Sequence, residues 1–189
     1  MECRSKRCRG ADDFGFIAAL IDQVSESYNV DGNRIYATGM SQGGFLSFDL
    51  ACNLSTTFAA IAPVSAGMAP ALVESCMPSR PVPVLQTHGT EDDLVGYDTG
   101  QSAIQWWVDF NMTDATPSVT ELPDPFPTNG TTVERFVYSN GEAGSSVEHL
   151  RINGGGHGWP GSDGNSDIDF AEQVWSFLSR YGLDGPLTD

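Results

Sequence analysis

The sequence has almost no lysine and little positive charge of any kind. Lys6 is the only lysine, and four of the nine basic residues fall in the first ten positions. Beyond residue 10, five arginines stand against 24 acidic residues, and the formal net charge of the chain is −16. Such a surface repels nucleic-acid phosphates and anionic lipid headgroups, so we expect neither a nucleic acid nor a membrane as partner.

Long apolar runs are also missing, and we do not expect residues 1–9 to act as a secretory leader. No stretch approaches the roughly 20 apolar residues of a membrane-spanning helix. Residues 1–9 lack the apolar core of a signal peptide. We interpret residues 1–10, which are mostly basic, as a tail outside the fold. The chain is 40% hydrophobic, and residues 11–189 suffice for a single domain with a sizeable core.

Cysteine is scarce, with four residues at positions 3, 8, 52 and 76. This number is too small for a disulfide scaffold. Cys52 ends a predicted helix, and Cys76 precedes a predicted strand. The sequence leaves two alternatives open: a Cys52–Cys76 disulfide, which would indicate an oxidising compartment, or two free buried thiols.

Helix-like and strand-like segments alternate along the chain, which predicts an α/β fold with a mostly parallel sheet flanked by helices. Asp12 can cap a first helix, and a last helix is predicted from about Asp169 to Tyr181. Residues 112–130 are rich in proline and polar residues and predict a surface loop. The strands are predicted at 33–38, 58–64, 81–87, 131–138 and 146–152, the last two as a hairpin around Asn140-Gly141.

The most informative motif is G-x-S-x-G at residues 39–43, between a predicted strand and a predicted helix. This context is the one that a nucleophilic serine requires, because a sharp strand-to-helix turn raises the hydroxyl above the sheet. Glycine at positions 39 and 43 would let the backbone turn tightly and the helix pack closely. Ser41 is therefore the candidate nucleophile.

A serine nucleophile needs an imidazole to accept its proton and a carboxylate to orient that imidazole. In α/β-hydrolases these partners follow in the order serine, acid, histidine. The chain offers Asp92 or Asp93, just after a predicted strand, and then His149 or His157. Ligands of open α/β sheets bind at the carboxyl ends of strands. We favour His157, which lies in a glycine-rich loop after the last strand, over His149, which falls inside a strand.

Three segments together resemble one family of esterases. They are residues 36–44 around the serine, residues 88–92 (His-Gly-Thr-Glu-Asp) and residues 154–161 (Gly-Gly-Gly-His-Gly-Trp-Pro-Gly). The family is that of the polyhydroxybutyrate depolymerase-like carboxylesterases, which includes feruloyl-esterase-like members. The resemblance extends over nearly all of residues 11–182. It implies an α/β-hydrolase fold, a secreted protein, an ester substrate, and no cofactor or metal.

The resemblance also implies residue roles. It makes Ser41 the nucleophile, Asp92 the acid and His157 the base, and it favours Asp92 over Asp93 because the family's acid directly follows the His-Gly-Thr-x run. The backbone N–H of Gln42 follows the nucleophile and can donate to an oxyanion.

Three further residues are candidates for substrate binding. Trp159 lies two residues after the proposed base, and Met40 lies beside the serine. Packing in the core is the alternative for both. His88 precedes the acid, and we expect its ring to hydrogen-bond near the site without acting as the base.

The resemblance also leads us to expect an N-terminally truncated fold, without the family's early strands and without the loop that donates a second oxyanion N–H. Losing one such donor costs on the order of 100–1,000-fold in rate. The alternative function is therefore a catalytically impaired fragment or pseudoenzyme that acts as a binding or assembly module. Strand 33–38 would also have an open edge, which predicts a homo-oligomer formed through that edge.

An alternating acidic segment resembles a calcium loop only superficially. Asp163, Asn165, Asp167 and Asp169 alternate as calcium ligands do. The glycine and the final acid that an EF-hand loop needs are absent. We therefore expect Asp167 or Asp169 to cap a helix.

Overall fold

The computed structural model of the protein describes residues 12–161 and 167–188, so the tail predicted at 1–10 lies outside the described residues. The helices are α1 (Asp13–Ser27), α2 (Gln42–Asn53), α3 (Pro70–Ser75), α4 (Tyr97–Asn111) and α5 (Phe170–Leu178). The strands are β1 (Tyr36–Met40), β2 (Ala60–Val64), β3 (Val84–Gly89), β4 (Ser118–Glu121), β5 (Thr132–Tyr138), β6 (Val147–Asn153), β7 (Tyr181–Gly182) and β8 (Gly185–Pro186).

Six strands form one sheet in the order β1-β2-β3-β6-β5-β4, and β7 pairs with β8 in a separate ribbon. The first four strands of the sheet are parallel to one another, whereas β5 and β4 run antiparallel. Strands β2 and β3 are buried along their whole length, as expected for parallel strands covered on both faces. The predicted mostly parallel sheet is confirmed, and so is the antiparallel pairing of the strands around residues 140–141.

Helices cover both faces of the sheet. Helices α1 to α4 pack on one face, around the fully buried Phe48 and Trp107. Helix α5 packs on the other face, where Phe177 meets Leu85 and Leu150. Among the described residues, no helix combines the length and the apolar character needed to cross a bilayer.

Two elements differ from the sequence-based prediction. Strand β1 begins at Tyr36 instead of residue 33, because Asn33 and Arg34 both hydrogen-bond back to Asp31 in a tight turn. The predicted loop 112–130 contains strand β4, all four residues of which are exposed, so the sequence there has no apolar period to reveal a strand.

The first helix is capped as predicted but is only partly buried. The Asp12 carboxylate accepts a hydrogen bond from the Gly15 N–H at 2.9 Å. The side chains that pack against the core are Phe14, Ile17 and Ile21. A second row of apolar side chains is exposed instead, and its members are Phe16, Leu20 and Val24.

The five arginines within residues 12–161 and 167–188 all make hydrogen bonds or ion pairs. Glu148 on β6 is fully buried, and it pairs with Arg135 of β5 and Arg180 after α5, each at 2.5 Å. A buried carboxylate needs such partners, because an unpaired one would lose its hydration without compensation. The Arg80 guanidinium donates to backbone carbonyls on both sides of Phe58. The two ion pairs of Glu148 thus connect the end of α5 to the sheet.

Cys52 and Cys76 form a disulfide, which decides between the two alternatives that the sequence left open. The bridge joins the end of α2 to the residue after α3 and closes a loop with a sequence separation of 24 residues. The chain segment between them includes β2, so the disulfide restrains the part of the sheet next to the serine turn.

Removing this disulfide should lower the stability of the protein. A closed loop of this length accounts for about 3 kcal/mol of folding free energy through the entropy of the unfolded chain. For a domain of this size, that corresponds to a fall in Tm of roughly 6–12 °C. Calorimetry on the Cys52→Ala/Cys76→Ala double variant, and on the wild type under reducing conditions, measures it. An equal Tm for oxidised and reduced wild type would refute the expectation.

Self-association through the edge of the sheet remains a prediction. Strand β1 pairs with β2 on one side, and within residues 12–161 and 167–188 no strand pairs with its other side. Unpaired strand edges bind other strands. We expect a dimer at micromolar concentration by light scattering, weakened in the variants Thr38→Lys and Leu20→Lys, which place a charge on the exposed strand and on the apolar row of α1. A monomeric wild type would contradict this.

Candidate active site

Ser41 lies at a sharp turn between β1 and α2. Its backbone has φ 53° and ψ −115°, a region that non-glycine residues rarely occupy. The Ser41 N–H donates to the carbonyl of Val64 at 2.9 Å, and the Ser41 carbonyl accepts from Phe45 in the first turn of α2. The turn is therefore held from both sides, and it has the strained strand-to-helix form of a nucleophile elbow.

Two glycines let the chain pass through this turn. A Cβ at Gly39 would lie 2.7 Å from the backbone carbon of Gly43, so the strand and the helix could not approach as they do. A Cβ at Gly44 would lie 2.6 Å from Ala66 Cβ and 2.8 Å from Val64 O. A Cβ at Gly43 would meet nothing within 4 Å. Close packing of α2 on β2 thus depends on Gly44, which the sequence analysis missed, and not on a missing side chain at position 43.

Asp92 lies in the turn that follows β3, and its side chain is fully buried. Oδ1 accepts hydrogen bonds from the N–H groups of Leu94 (3.0 Å) and Val95 (2.8 Å). Oδ2 accepts one from His157 Nδ1 at 2.8 Å. The neighbouring candidate, Asp93, is exposed. The structure thus brings Asp92, and not Asp93, against the histidine.

The environment of Asp92 favours its ionised form. Burial on its own would raise the pKa of the carboxyl, but the hydrogen bonds from the Val95 N–H, the His157 ring and the Leu94 N–H together lower that pKa below its ordinary value. Asp92 therefore carries a negative charge at neutral pH and can orient and stabilise a protonated imidazole.

The loop after β6 carries His157 over the end of β3. A Cβ at Gly89 would lie 2.2 Å from the carbonyl oxygen of Gly155, so glycine is required where the two segments touch. The Gly154 N–H is held by Thr90 Oγ1 at 2.9 Å. Because Nδ1 of His157 donates to Asp92, the unprotonated Nε2 of the neutral ring is an acceptor.

The same loop continues toward the serine turn. Ser65, the residue after β2, donates from Oγ to the carbonyl of Gly158 at 3.4 Å. Val64, the last residue of β2, accepts the hydrogen bond from the Ser41 N–H. Both His157 and Ser41 are thus anchored near the end of β2. Among the described residues, no hydrogen bond joins the Ser41 hydroxyl to His157. Such bonds often form only with substrate in place.

A cavity of about 150 Å³ lies beside His157, between its loop and the ends of β2, β3 and β6. Trp159 lines it and packs edge-on against Phe170, with ring centroids 4.8 Å apart. Thr87 also lines this cavity, and its Oγ1 is buried without a hydrogen-bond partner in the described part of the chain. The cavity has room for a small part of a substrate.

The other two substrate-binding candidates occupy less open positions. Met40 is half-buried and packs against the core on the α5 side of the sheet. His88 is 1% exposed, and its Nε2 lies 2.8 Å from the Val95 carbonyl and 3.2 Å from Asp92 Oδ2. His88 is among the residues around the cavity beside His157, but its side chain has no exposed area and lies behind the acid.

His149, the alternative base in the sequence, lies in the interior of the sheet. Its Nδ1 donates to the Gln86 carbonyl at 3.0 Å, and its Nε2 accepts from the Tyr97 hydroxyl at 2.9 Å. Burial lowers the pKa of His149 to about 3. Both ring nitrogens are thus occupied within the fold, away from Asp92.

Asp167 and Asp169, in the acidic segment after the His157 loop, make hydrogen bonds to other residues of the chain. Asp169 caps α5 by accepting from the Glu172 N–H at 3.1 Å, which confirms the predicted capping. Asp167 accepts from the side chains of Asn129 and Thr131. Asp163 and Asn165 lie outside the described residues.

Sequence reasoning missed one residue that holds the site together. Ser65 has φ 46° and is 1% exposed at the end of β2. Strained residues of this kind cluster at functional sites. Its place directly after a predicted strand was the available signal, the same signal that identified the aspartates.

Comparison with known proteins gives a consistent family. A family model described as Phospholipase/Carboxylesterase matches residues 7–125. A bifunctional acetylxylan esterase/xylanase of Neocallimastix patriciarum is 28% identical, covering 95% of this chain and 25% of that protein. Feruloyl esterase B of Piromyces equi is 33% identical, covering 88% of this chain and 32% of that protein. The chain thus spans about a quarter to a third of the length of these relatives.

Two further comparisons extend this result. Poly(3-hydroxyalkanoate) depolymerase C of Paucimonas lemoignei is 24% identical, covering 80% of this chain and 42% of that protein. Among solved structures, acetyl xylan esterase from Aspergillus awamori superposes with a TM-score of 0.62 at 13% identity, covering 87% of this chain and 66% of that one. This structure shows the shared fold, and the resemblance to esterases stated from the three sequence segments is confirmed.

The buried His149 should make the protein less stable in acid. Its folded-state pKa of about 3 lies below the ordinary value of 6.5, so between these values the unfolded chain binds the additional proton. Stability should therefore fall as pH drops from 6.5 toward 3, by about 1.4 kcal/mol per pH unit for this one group.

Urea unfolding at several pH values measures this dependence. The matched variant His149→Gln should show a shallower slope in that range, whatever its stability at pH 7. His88, whose pKa is also lowered by burial, contributes in the same direction in both proteins. The same slope in wild type and variant would refute the assignment to His149.

Proposed function

This chain belongs to the phospholipase/carboxylesterase family of α/β-hydrolases, and on that premise we propose that it hydrolyses carboxylic esters through an acyl-enzyme formed on Ser41. The observation that carries the proposal is the 2.8 Å hydrogen bond between His157 Nδ1 and the buried Asp92, in a loop anchored beside the serine turn. Serine, acid and histidine also follow in the order of this fold.

In the proposed reaction, His157 Nε2 takes the proton of the Ser41 hydroxyl as the oxygen attacks the ester carbonyl. Asp92 holds the ring through Nδ1 and stabilises the imidazolium that forms. His157 then gives the proton to the leaving alcohol. In the second half, a water molecule is activated by the same ring and releases the acid from Ser41.

The oxyanion needs hydrogen-bond donors aimed at the former carbonyl oxygen. Gln42 is the first residue of α2, so its N–H has no acceptor within the helix. The helix N-terminus also favours negative charge at this point. We assign the Gln42 N–H as one oxyanion donor.

The proposed substrate class is inferred from the names of the relatives and from the cavity beside His157. Feruloyl, acetyl and hydroxyalkanoate esters are the proposed substrates, because the relatives' names include feruloyl esterase, acetylxylan esterase and poly(3-hydroxyalkanoate) depolymerase. Trp159 supplies an apolar wall beside His157 for the group next to the ester carbonyl. The Cys52–Cys76 disulfide supports an extracellular or otherwise oxidising location.

Ser41→Ala and His157→Ala should each lower kcat/KM for a short-chain p-nitrophenyl ester by about 10⁴-fold or more, because the nucleophile and the base act as one unit. Ser102→Ala, which changes an exposed serine of α4, is the matched control and should keep wild-type activity. Turnover is followed by release of p-nitrophenolate.

A fluorophosphonate probe separates this proposal from the alternative of an inactive binding module. We expect covalent labelling of the wild type and of Ser102→Ala, and no labelling of Ser41→Ala. A folded wild type that is neither labelled nor active would eliminate the hydrolase and favour the binding module.

A further inference from the structure

A second imidazole lies against the acid of the proposed triad. His88 is on β3, four residues before Asp92, and its Nε2 is 3.2 Å from Asp92 Oδ2, the oxygen that also accepts from His157. The same Nε2 is 2.8 Å from the carbonyl oxygen of Val95. His88 is 1% exposed, so it meets neither substrate nor bulk water.

The hydrogen bonds around the ring determine which nitrogen carries the proton. Gln86 Nε2 lies 3.1 Å from the Ala66 carbonyl, which can only accept, so this atom of Gln86 is the donating amide nitrogen. Its second hydrogen faces His88 Nδ1 at 2.9 Å, which must then be an acceptor. The ring is therefore neutral, with its proton on Nε2, which donates to the Val95 carbonyl at 2.8 Å and lies 3.2 Å from Asp92 Oδ2.

Helix α4 holds this arrangement in place. A Cβ at Gly100 would lie 2.4 Å from His88 Nδ1 and 2.6 Å from Gln86 Nε2, so the helix backbone closes over both groups. The ring of Tyr97 packs edge-on against His88 with a centroid distance of 5.8 Å. No room is left for the ring to turn over or for water to replace its hydrogen bonds.

We propose that His88 is a positioning residue of the hydrolase: its neutral ring places Nε2–H against Asp92 Oδ2, at 3.2 Å, and thereby sets the direction and the strength of the hydrogen bond between Asp92 and His157. This inference rests on the proposed function. With both rings in place, Oδ2 shares its negative charge between two imidazoles, and the carboxylate cannot rotate without losing the hydrogen bond to His157 or the contact with His88. His88 itself is not a base, because the lone pair of its unprotonated Nδ1 accepts the hydrogen bond from Gln86 Nε2.

Two consequences of losing this donor can be separated in kinetics. Asp92 becomes less well oriented, so kcat should fall, on the order of ten-fold, with little change in KM. Oδ2 also becomes a stronger acceptor for protonated His157, so the acidic limb of the kcat profile should move to higher pH by about half a unit. The titratable groups around His88 are Asp92, His157, Tyr97, His149 and Arg151.

The experiment compares His88→Leu, His88→Asn and His88→Gln by pH-dependent turnover of a p-nitrophenyl ester. The Gln amide can reach Asp92 as Nε2 does, so it should restore both kcat and the position of the acidic limb. The Asn amide is too short and should behave as the Leu variant. If His88→Leu fails to fold, the comparison of Asn with Gln still decides the question.

The control is His149→Gln, which alters an equally buried histidine of the sheet that does not contact Asp92. It should change stability without moving the acidic limb. Equal kinetics for the Asn and Gln variants, or a Leu variant with wild-type kcat and pH profile, would overturn the role of His88. An inactive wild type would instead refute the proposed function, so the two failures are distinguishable.

Discussion

Asp92 is a buried carboxylate, and the geometry of the site follows from the four polar groups that surround it. Two backbone N–H groups of its own turn and the ring of His157 donate to it, and the ring of His88 lies 3.2 Å from Oδ2. A buried charge that lacks its partners costs several kcal/mol. The turn after β3, the strand itself and the histidine loop must therefore all be in place together, and each restrains the others.

Close backbone contacts make this convergence possible. Strands β3 and β6 are parallel neighbours, so their carboxyl ends meet at one edge, where Gly89 touches the loop at Gly155. On the other side, Gly44 lets α2 approach β2. Side chains at either position would separate the segments. The distances at the site thus depend on the absence of side chains as much as on the polar groups.

The sequence predicts those parts of the site that are set by local structure. The Ser41 turn is local, since strand, glycine and helix follow within a few residues, and the order of the motifs indicates His157. Asp92 and Asp93 are equivalent in local spacing, and in the sequence only the resemblance to the esterase family favours Asp92; the contact of that carboxylate with His157 is made through folding. Strand β4 was missed because all its side chains are exposed. Which ring nitrogen of His88 carries the proton depends on the hydrogen bond between Gln86 and the carbonyl of Ala66, a residue distant in sequence.

The backbone of Ser41 has a further consequence. A residue with φ near 53° costs on the order of 1–3 kcal/mol unless it is glycine, which adopts such angles freely. The most stable residue at this position is therefore not the proposed nucleophile. A serine here lowers the conformational stability of the turn, and the proposed reactivity is what the fold would gain in exchange.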